Sequence, residues 1–281
     1  MTDRVFILGA GRAGRGLARA LRASGVDVVG LHGRRAERGD DAVSAGAVPA
    51  DALRATTVLV AVRDAQLEGA LGEIGAAAFD RRVTVLHASG SAEPTTLAVL
   101  RAKGHPCGTF HPLVPIADPA RAAELFKGAW VGVDGDAAAI ATADRLAGRL
   151  GARTLRIPAG EKARYHVAAV LASNFPTVLA TLAALLLTEA GVPASESWDA
   201  VRSLMRGAVL NLDTDTPLAA LTGPVVRGDA ETVTRHLAAL AGAPELRRVY
   251  VELSRAAVEI ARAGGASVDQ VEQVLRTPAA R

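Results

Sequence analysis

Val5 to Ser24 reads VFILGAGRAGRGLARALRAS. Four apolar residues of buried-strand character, Val5 to Leu8, run straight into Gly9, Ala10, Gly11, Arg12, Ala13 and Gly14, and a helical stretch follows to Ser24. This is a G-x-G-x-x-G turn with a strand before it and a helix behind it. Gly9 permits the tight turn, Gly11 lets backbone approach a pyrophosphate, and Gly14 lets helix and strand pack closely, with the helix N-terminus facing the phosphates. Three glycines alone would be a weak signal; the strand, the helix and the position at the start of the chain separate this run from an incidental glycine turn. The expectation is a Rossmann dinucleotide-binding domain.

The next apolar run, Val26 to Leu31, ends in His32, Gly33, Arg34, Arg35. An NAD enzyme usually places a carboxylate there for the ribose hydroxyls, and none stands in that place. Two guanidinium groups suit a 2′-phosphate instead, which favours NADP(H), with Arg34 ahead of Arg35. The alternative is a solvated helix start. Further cofactor contacts are expected at the carboxyl ends of later strands, at Val62 and Arg63 and at Ser89 and Gly90.

Outward from this turn, short valine-rich runs alternate with alanine-rich helical stretches as far as Pro158. Candidate strands are Val5 to Leu8, Val26 to Leu31, Thr57 to Val62, Val83 to His87, Cys107 to Phe110, Trp130 to Val133 and Thr154 to Ile157. Their continuous apolar character suits a mostly parallel sheet covered on both faces. After Pro158 the pattern turns helical, in segments near 161–190, 195–211, 229–241, 245–263 and 267–276, with Ser195, Asp229 and Ser267 as N-caps and Gly191, Gly242 and Gly264 at helix ends. The reading is therefore α/β, with a Rossmann domain over 1–158 and an all-α substrate and dimerisation domain over 159–281.

Composition agrees with 281 residues in two globular domains: half are apolar, and 32 basic residues nearly balance 29 acidic ones for a net charge of +3. No basic stripe points to nucleic acid. One cysteine, Cys107, excludes a disulfide framework or cysteine metal cluster and fits a reducing compartment, so a cytoplasmic protein without a bound metal is expected. Val167 to Thr188 carries no charge and is long enough to span a bilayer. Its Ser173, Asn174, Pro176, Thr177 and Thr181 argue for a buried core helix instead, and no membrane partner is expected.

Only three lysines occur among the 32 basic residues, so Lys162 draws notice. At a hundred degrees per residue Lys162, His166 and Ser173 fall within about forty degrees of one another. Thr177 lies near that stripe, and Asn174 sits off its edge, reaching it only through a break at Pro176. Burying amine, imidazole and hydroxyl together is costly without partners, and a substrate pocket would supply them. A reductase must place positive charge or a proton beside the atom that becomes electron-rich, which suits Lys162. His166 could orient substrate or relay the proton, and Ser173 with Asn174 could hold a carboxylate. Singly, each has a plainer account: a solvated first turn, a core histidine, a backbone-bonded hydroxyl. Two strand-end clusters, His87 to Gly90 and His111 with Pro112, could complete the pocket, as could the Thr222, Gly223, Pro224 loop, from its own subunit or a partner's.

Together the strings GAGRAGRGLARAL, HASG, FHPL, KARYHVAAVLASN and LTGPVVRGDAETVTRHL resemble the Rossmann-like oxidoreductases whose C-terminal helical part is catalogued as a domain of unknown function. The resemblance covers nearly the whole chain. It implies kinship with pyrroline-5-carboxylate reductase, ketopantoate reductase and 6-phosphogluconate dehydrogenase, with the helical domain of the last type. It further implies NADPH-dependent reduction of a small carboxylate substrate and a homodimer formed through the C-terminal domain. In hydroxyisobutyrate dehydrogenase relatives a catalytic lysine precedes an asparagine by four residues; Lys162 matches that lysine, and His166 stands where the asparagine would be. The leading expectation is reduction of 2-dehydropantoate, or ketopantoate, to pantoate. A pyrroline-type imine reductase and a non-catalytic NADP-binding protein remain open.

Overall fold

The computed structural model describes residues 3–39, 41–77, 79, 81–213 and 216–276. The chain divides into two compact units, Met1–Asn174 and Phe175–Arg281. This division falls inside a long helix and not at 158/159, where the strand pattern ends, because the start of that helix belongs to the first unit.

The first unit opens with β1 (Arg4–Leu8), α1 (Arg12–Ala23) and β2 (Asp27–His32), followed by β3 (Thr57–Val60), α2 (Leu67–Ala76), β4 (Thr84–His87), α3 (Ala98–Ala102) and β5 (Cys107–Thr109). These five strands form one parallel sheet in the order β2-β1-β3-β4-β5. Successive side chains of a strand point to opposite faces, and here both faces are buried. Val5 and Ile7 join Leu17, Leu21, Leu59 and Leu86 in one core, whereas Phe6 and Leu8 join Val58, Val60 and Ile74 in the other. That is why these strands read as unbroken apolar runs.

Most expected strands shift by a residue or two at their ends, where hydrogen bonding and not apolarity sets the limit. The expected single sheet is, however, two. The antiparallel pair β6 (His111–Pro112) and β7 (Trp130–Val133), with β8 (Arg153–Arg156) parallel to β7, makes a separate three-stranded sheet. α4 (Ala122–Leu125) precedes β7 and α5 (Ala137–Arg149) connects β7 to β8. Strand β6 is too short to leave a pattern in sequence, and it places His111 opposite Gly132.

Helix α6 (Lys162–Glu189) spans the division between the units and passes through Pro176 as one helix. The second unit continues with α7 (Ala194–Leu210), α8 (Pro217–Ala220), α9 (Ala230–Ala239), α10 (Pro244–Ala263) and α11 (Asp269–Arg276). Its core is Val233, Val251, Val258, Val271 and Leu275 with their neighbours. Asp229 caps α9, accepting from the Thr232 N–H at 3.0 Å, and Gly191, at φ +96°, follows the end of α6. Ser195 is not a cap, since α7 begins a residue earlier behind Pro193, and α11 begins at Asp269, beyond Ser267.

The expectation of a buried helix over Val167 to Thr188 is overturned. Val167 is 58% exposed, Leu171 56% and Leu185 53%, and among the described residues α6 is the one helix long and apolar enough to cross a membrane by length and composition. Hydropathy reports what a helix prefers to touch, not what a single chain supplies to cover it.

A glycine-cradled cleft and a buried lysine cluster

The strand order reverses between β1 and β3, and the crevice outside the carboxyl ends of such strands is where ligands bind in open α/β sheets. A cleft of about 1060 Å³ lies there, lined by Gly9, Gly11, Arg12, Arg34, Arg35 and Arg63 among others. The three glycines do three jobs. Gly9, at φ +121°, would carry a Cβ only 2.3 Å from the Ala61 carbonyl oxygen; Gly14 would carry one 1.7 Å from the Gly9 carbonyl oxygen; and a Cβ on Gly11 meets nothing within 4 Å. Gly9 and Gly14 therefore make the turn and the packing, while Gly11 opens a space at the N-terminus of α1, where it is the N-cap without a side-chain bond.

Ala10 and Val62 also line the cleft. Ala13 is exposed on the first turn of α1 and Gly14 is buried beneath it, so neither is part of the lining. Glu37 does border the cleft, a carboxylate that counting from the second strand had missed, but it is paired to Arg15 at 2.6 Å. Arg15 in turn donates to the Ala10 carbonyl at 2.9 Å, tying the glycine turn to the loop after β2.

Ser89 and Gly90, expected at the cofactor, do not line the cleft; they belong to a polar cluster at the ends of β4 and β5. Lys162 is 0% exposed, and its Nζ donates to the Ser89 carbonyl at 3.2 Å and lies 5.4 Å from the centre of the Tyr165 ring. A solvated first turn is thereby excluded. Glu93 fastens the start of α6, its two carboxylate oxygens accepting from the Gly160 N–H at 3.4 Å and the Lys162 N–H at 3.2 Å. Burial pushes the Lys162 amine down to about 8, against the opposing pull of Asp134, Glu93 and Asp64.

Three histidines surround this amine. His87 is fully buried and neither ring nitrogen has a hydrogen-bond partner; burial, then the charge of Lys162, pushes it down to about 4. His111 is pushed to about 4 by the same causes, and its Nδ1 lies 2.7 Å from the Tyr165 hydroxyl. His166 packs edge-on against His111 with ring centres 5.7 Å apart, and its Nδ1 is buried without a partner. Thr109 Oγ1 and Asp134 Oδ2 are likewise buried and unpaired, a density of unmet polar atoms that marks a place built for more than packing. Among the described residues no three His, Cys, Asp or Glu side chains converge as metal ligands. Cys107 is no nucleophile: burial pushes its thiol up to about 11.

Asp64 links cleft and cluster. It follows Arg63 of the cleft, and its carboxylate accepts from the Ser91 hydroxyl at 2.6 Å. Burial pushes its carboxyl up, but Ser91, Ser89 and the charges of His166 and His87 outweigh that and hold it below the usual range. Of the other expected site residues, Ser173 is half-buried and Asn174 exposed. Thr222 borders a separate shallow hollow of the second unit with Asn211, and Gly223 takes φ +111° in the loop. Tyr165, Asp64, Glu93 and Gly132 were not singled out from sequence. The glycines Gly90 and Gly132 were the available signal, since each stands where a neighbouring ring takes the space of a Cβ.

A doubly wound parallel sheet with a glycine-cradled cleft at its switch point, followed by a helical unit, defines a Rossmann-like α/β domain with an all-α C-terminal region. Residues 129–257 match the DUF2520 family, a domain of unknown function. No curated protein matches the chain by sequence. Solved structures share the fold. A Bacteroides fragilis protein described as a candidate NADP oxidoreductase is 23% identical, with a TM-score of 0.73 over 92% of this chain and 98% of its own. Plasmodium falciparum pyrroline carboxylate reductase with NADP bound is 12% identical, with a TM-score of 0.64 over 94% of this chain and 98% of its own. The reductive aminase of Aspergillus terreus in complex with NADPH and ethyl levulinate is 17% identical, with a TM-score of 0.67 over 98% of this chain and all of its own, 100%.

Proposed function

We propose that this chain is an NADPH-dependent reductase of a small carboxylate-bearing carbonyl compound, with 2-dehydropantoate as the first candidate. The observation that carries the reading is the buried Lys162 standing in the same unit as the glycine-cradled cleft, joined to it through Asp64 and the Ser89 to Ser91 turn. The cleft fits the cofactor. Gly11 leaves open the space a pyrophosphate needs at a helix N-terminus, and Arg34 with Arg35 offers paired donors to a 2′-phosphate.

When bound, NADPH supplies the hydride. The chain's own part is to hold the acceptor and to meet the charge that grows on its oxygen. A buried ammonium acts on such charge in a low dielectric and costs no reorganisation at the moment of reaction. That favours a ketone, whose oxygen turns anionic, over an iminium, which would be repelled. The imine reading has its own support in the likeness to pyrroline carboxylate reductase and the reductive aminase.

We read the exposed apolar face of α6 as a contact with a second copy of the chain, giving a homodimer through the C-terminal region. The first experiment follows NADPH oxidation by the purified protein with ketopantoate, pyrroline-5-carboxylate and other small 2-keto acids. Saturable turnover on ketopantoate supports the leading reading, and turnover on pyrroline-5-carboxylate alone replaces it with the imine reading. Silence throughout, with NADPH still bound by fluorescence, leaves a nucleotide-binding protein.

A further inference from the structure

The accessible polar groups of the cluster are not Lys162, which is wholly buried, but the half-buried His111, Tyr165 and His166. Their arrangement determines where one proton sits. A Cβ on Gly132 would stand 2.2 Å from the Tyr165 hydroxyl, so the phenol is seated directly on the β7 backbone. The hydroxyl's hydrogen-bonding neighbour is His111 Nδ1, at 2.7 Å. Burial pushes the Tyr165 phenol up, so it keeps its proton and has one to donate.

With the phenolic proton directed at it, His111 Nδ1 is the acceptor, and the ring, kept neutral by burial and by Lys162, then carries its hydrogen on Nε2. Nε2 points at Gly90: a Cβ there would lie 2.8 Å from it and 2.3 Å from His166 Nδ1. Only glycine at 90 lets the two imidazoles converge. The His111 Nε2–H has no protein acceptor among the described residues, and His166 Nδ1 is buried and unpaired beside it.

We propose that His111, fixed as its Nε2–H tautomer by Tyr165, is the neutral donor that binds and polarises the substrate's carbonyl oxygen, with His166 completing the seat over Gly90. Lys162 then acts from beneath through its field and has no direct contact with the substrate. A neutral imidazole suits this task because its N–H is a good donor yet is not surrendered to bulk water. The inference rests on the reductase reading for the identity of the bound atom, but the tautomer stands without it.

Nitrogen-15 spectra of the apo protein at neutral pH, with the His111 signal assigned through His111→Gln, test the tautomer with no substrate present. The expected result is the Nε2–H form, spread over both tautomers in Tyr165→Phe; an Nδ1–H form or an imidazolium in the wild type overturns the proposal. On whichever panel compound is reduced, His111→Phe is expected to lower kcat/KM about 100-fold, the scale of losing one oxyanion donor, with NADPH affinity within about twofold. His111→Gln, which keeps an N–H, should recover part of the loss. Activity of His111→Phe equal to wild type overturns the proposal. Should no compound be reduced, the reductase reading fails, and the donor is judged by adding oxamate with NADP⁺. A saturable shift of the His111 Nε2–H signal supports it, and an unmoved signal overturns it.

Discussion

Gly11 and Gly14 stand one helical turn apart and answer to different constraints. A side chain at 14 collides with backbone inside the fold, while one at 11 enters only the cleft. Gly14→Ala is expected to lower the melting temperature sharply, whereas Gly11→Val should melt near wild type and lose NADPH binding by fluorescence titration. Arg34→Ala removes charged donors and is expected to weaken NADPH about 10- to 100-fold while leaving NADH nearly unaffected. At Lys162 the amine is buried with one hydrogen bond, so an apolar chain of similar length costs the fold little. Lys162→Met should keep or raise the melting temperature and keep NADPH affinity, while turnover on the active panel compound falls at least about 100-fold. His87 and His111, pushed to about 4, stay neutral in the folded chain where the unfolded chain, near 6.5, already binds protons. Between these values the unfolded state holds more protons, so stability falls as pH drops from about 6.5 to about 4 and levels off below. Thermal melts across that range check it, and a flat profile would contradict the burial of both rings.

At the scale of elements, the start of α6 is where two parts of the first unit are joined. Glu93, from the turn after β4, accepts from two N–H groups at the head of the helix that carries Lys162, Tyr165 and His166. Those donors have no intrahelical partner, so the carboxylate serves as a cap supplied from a distance, and negative charge there also suits the helix dipole. Glu93→Ala is expected to cost about 2 kcal/mol in urea unfolding and to lower kcat more than NADPH affinity, because the helix head moves while the cleft does not. The motif at Val5 to Gly14 was legible because its constraints are local: a strand, a turn and a helix within a dozen or so residues. Tyr165 was not, because a tyrosine in a helical run looks like any other until β6 and β7 bring His111 and Gly132 against it.

On the scale of the molecule, one long helix presents an apolar face that a single chain leaves open. Leu171 and Leu185, both more than half exposed, lie on a helix with no charge between Val167 and Thr188. Light scattering is expected to show a dimer, and Leu171→Glu with Leu185→Glu to give a folded monomer. A wild-type monomer, or partition into phosphatidylcholine vesicles in a flotation assay, would refute the dimer reading.

Local sequence determined much of this protein by itself: the parallel sheet, the glycine turn, the arginines after β2, the helical second half and the lysine worth following. Each depends on neighbours in the chain, where steric limits and periodicity act over a few residues. Tertiary structure alone decided that Lys162 is wholly buried, that Ser89 accepts from Lys162 while Gly90 makes room for His111 and His166, and that His111 meets Tyr165 across fifty-four positions. It also left α6 uncovered. Burial, proton position and the pairing of distant polar groups depend on which surfaces meet, and that is settled only when separate segments pack together.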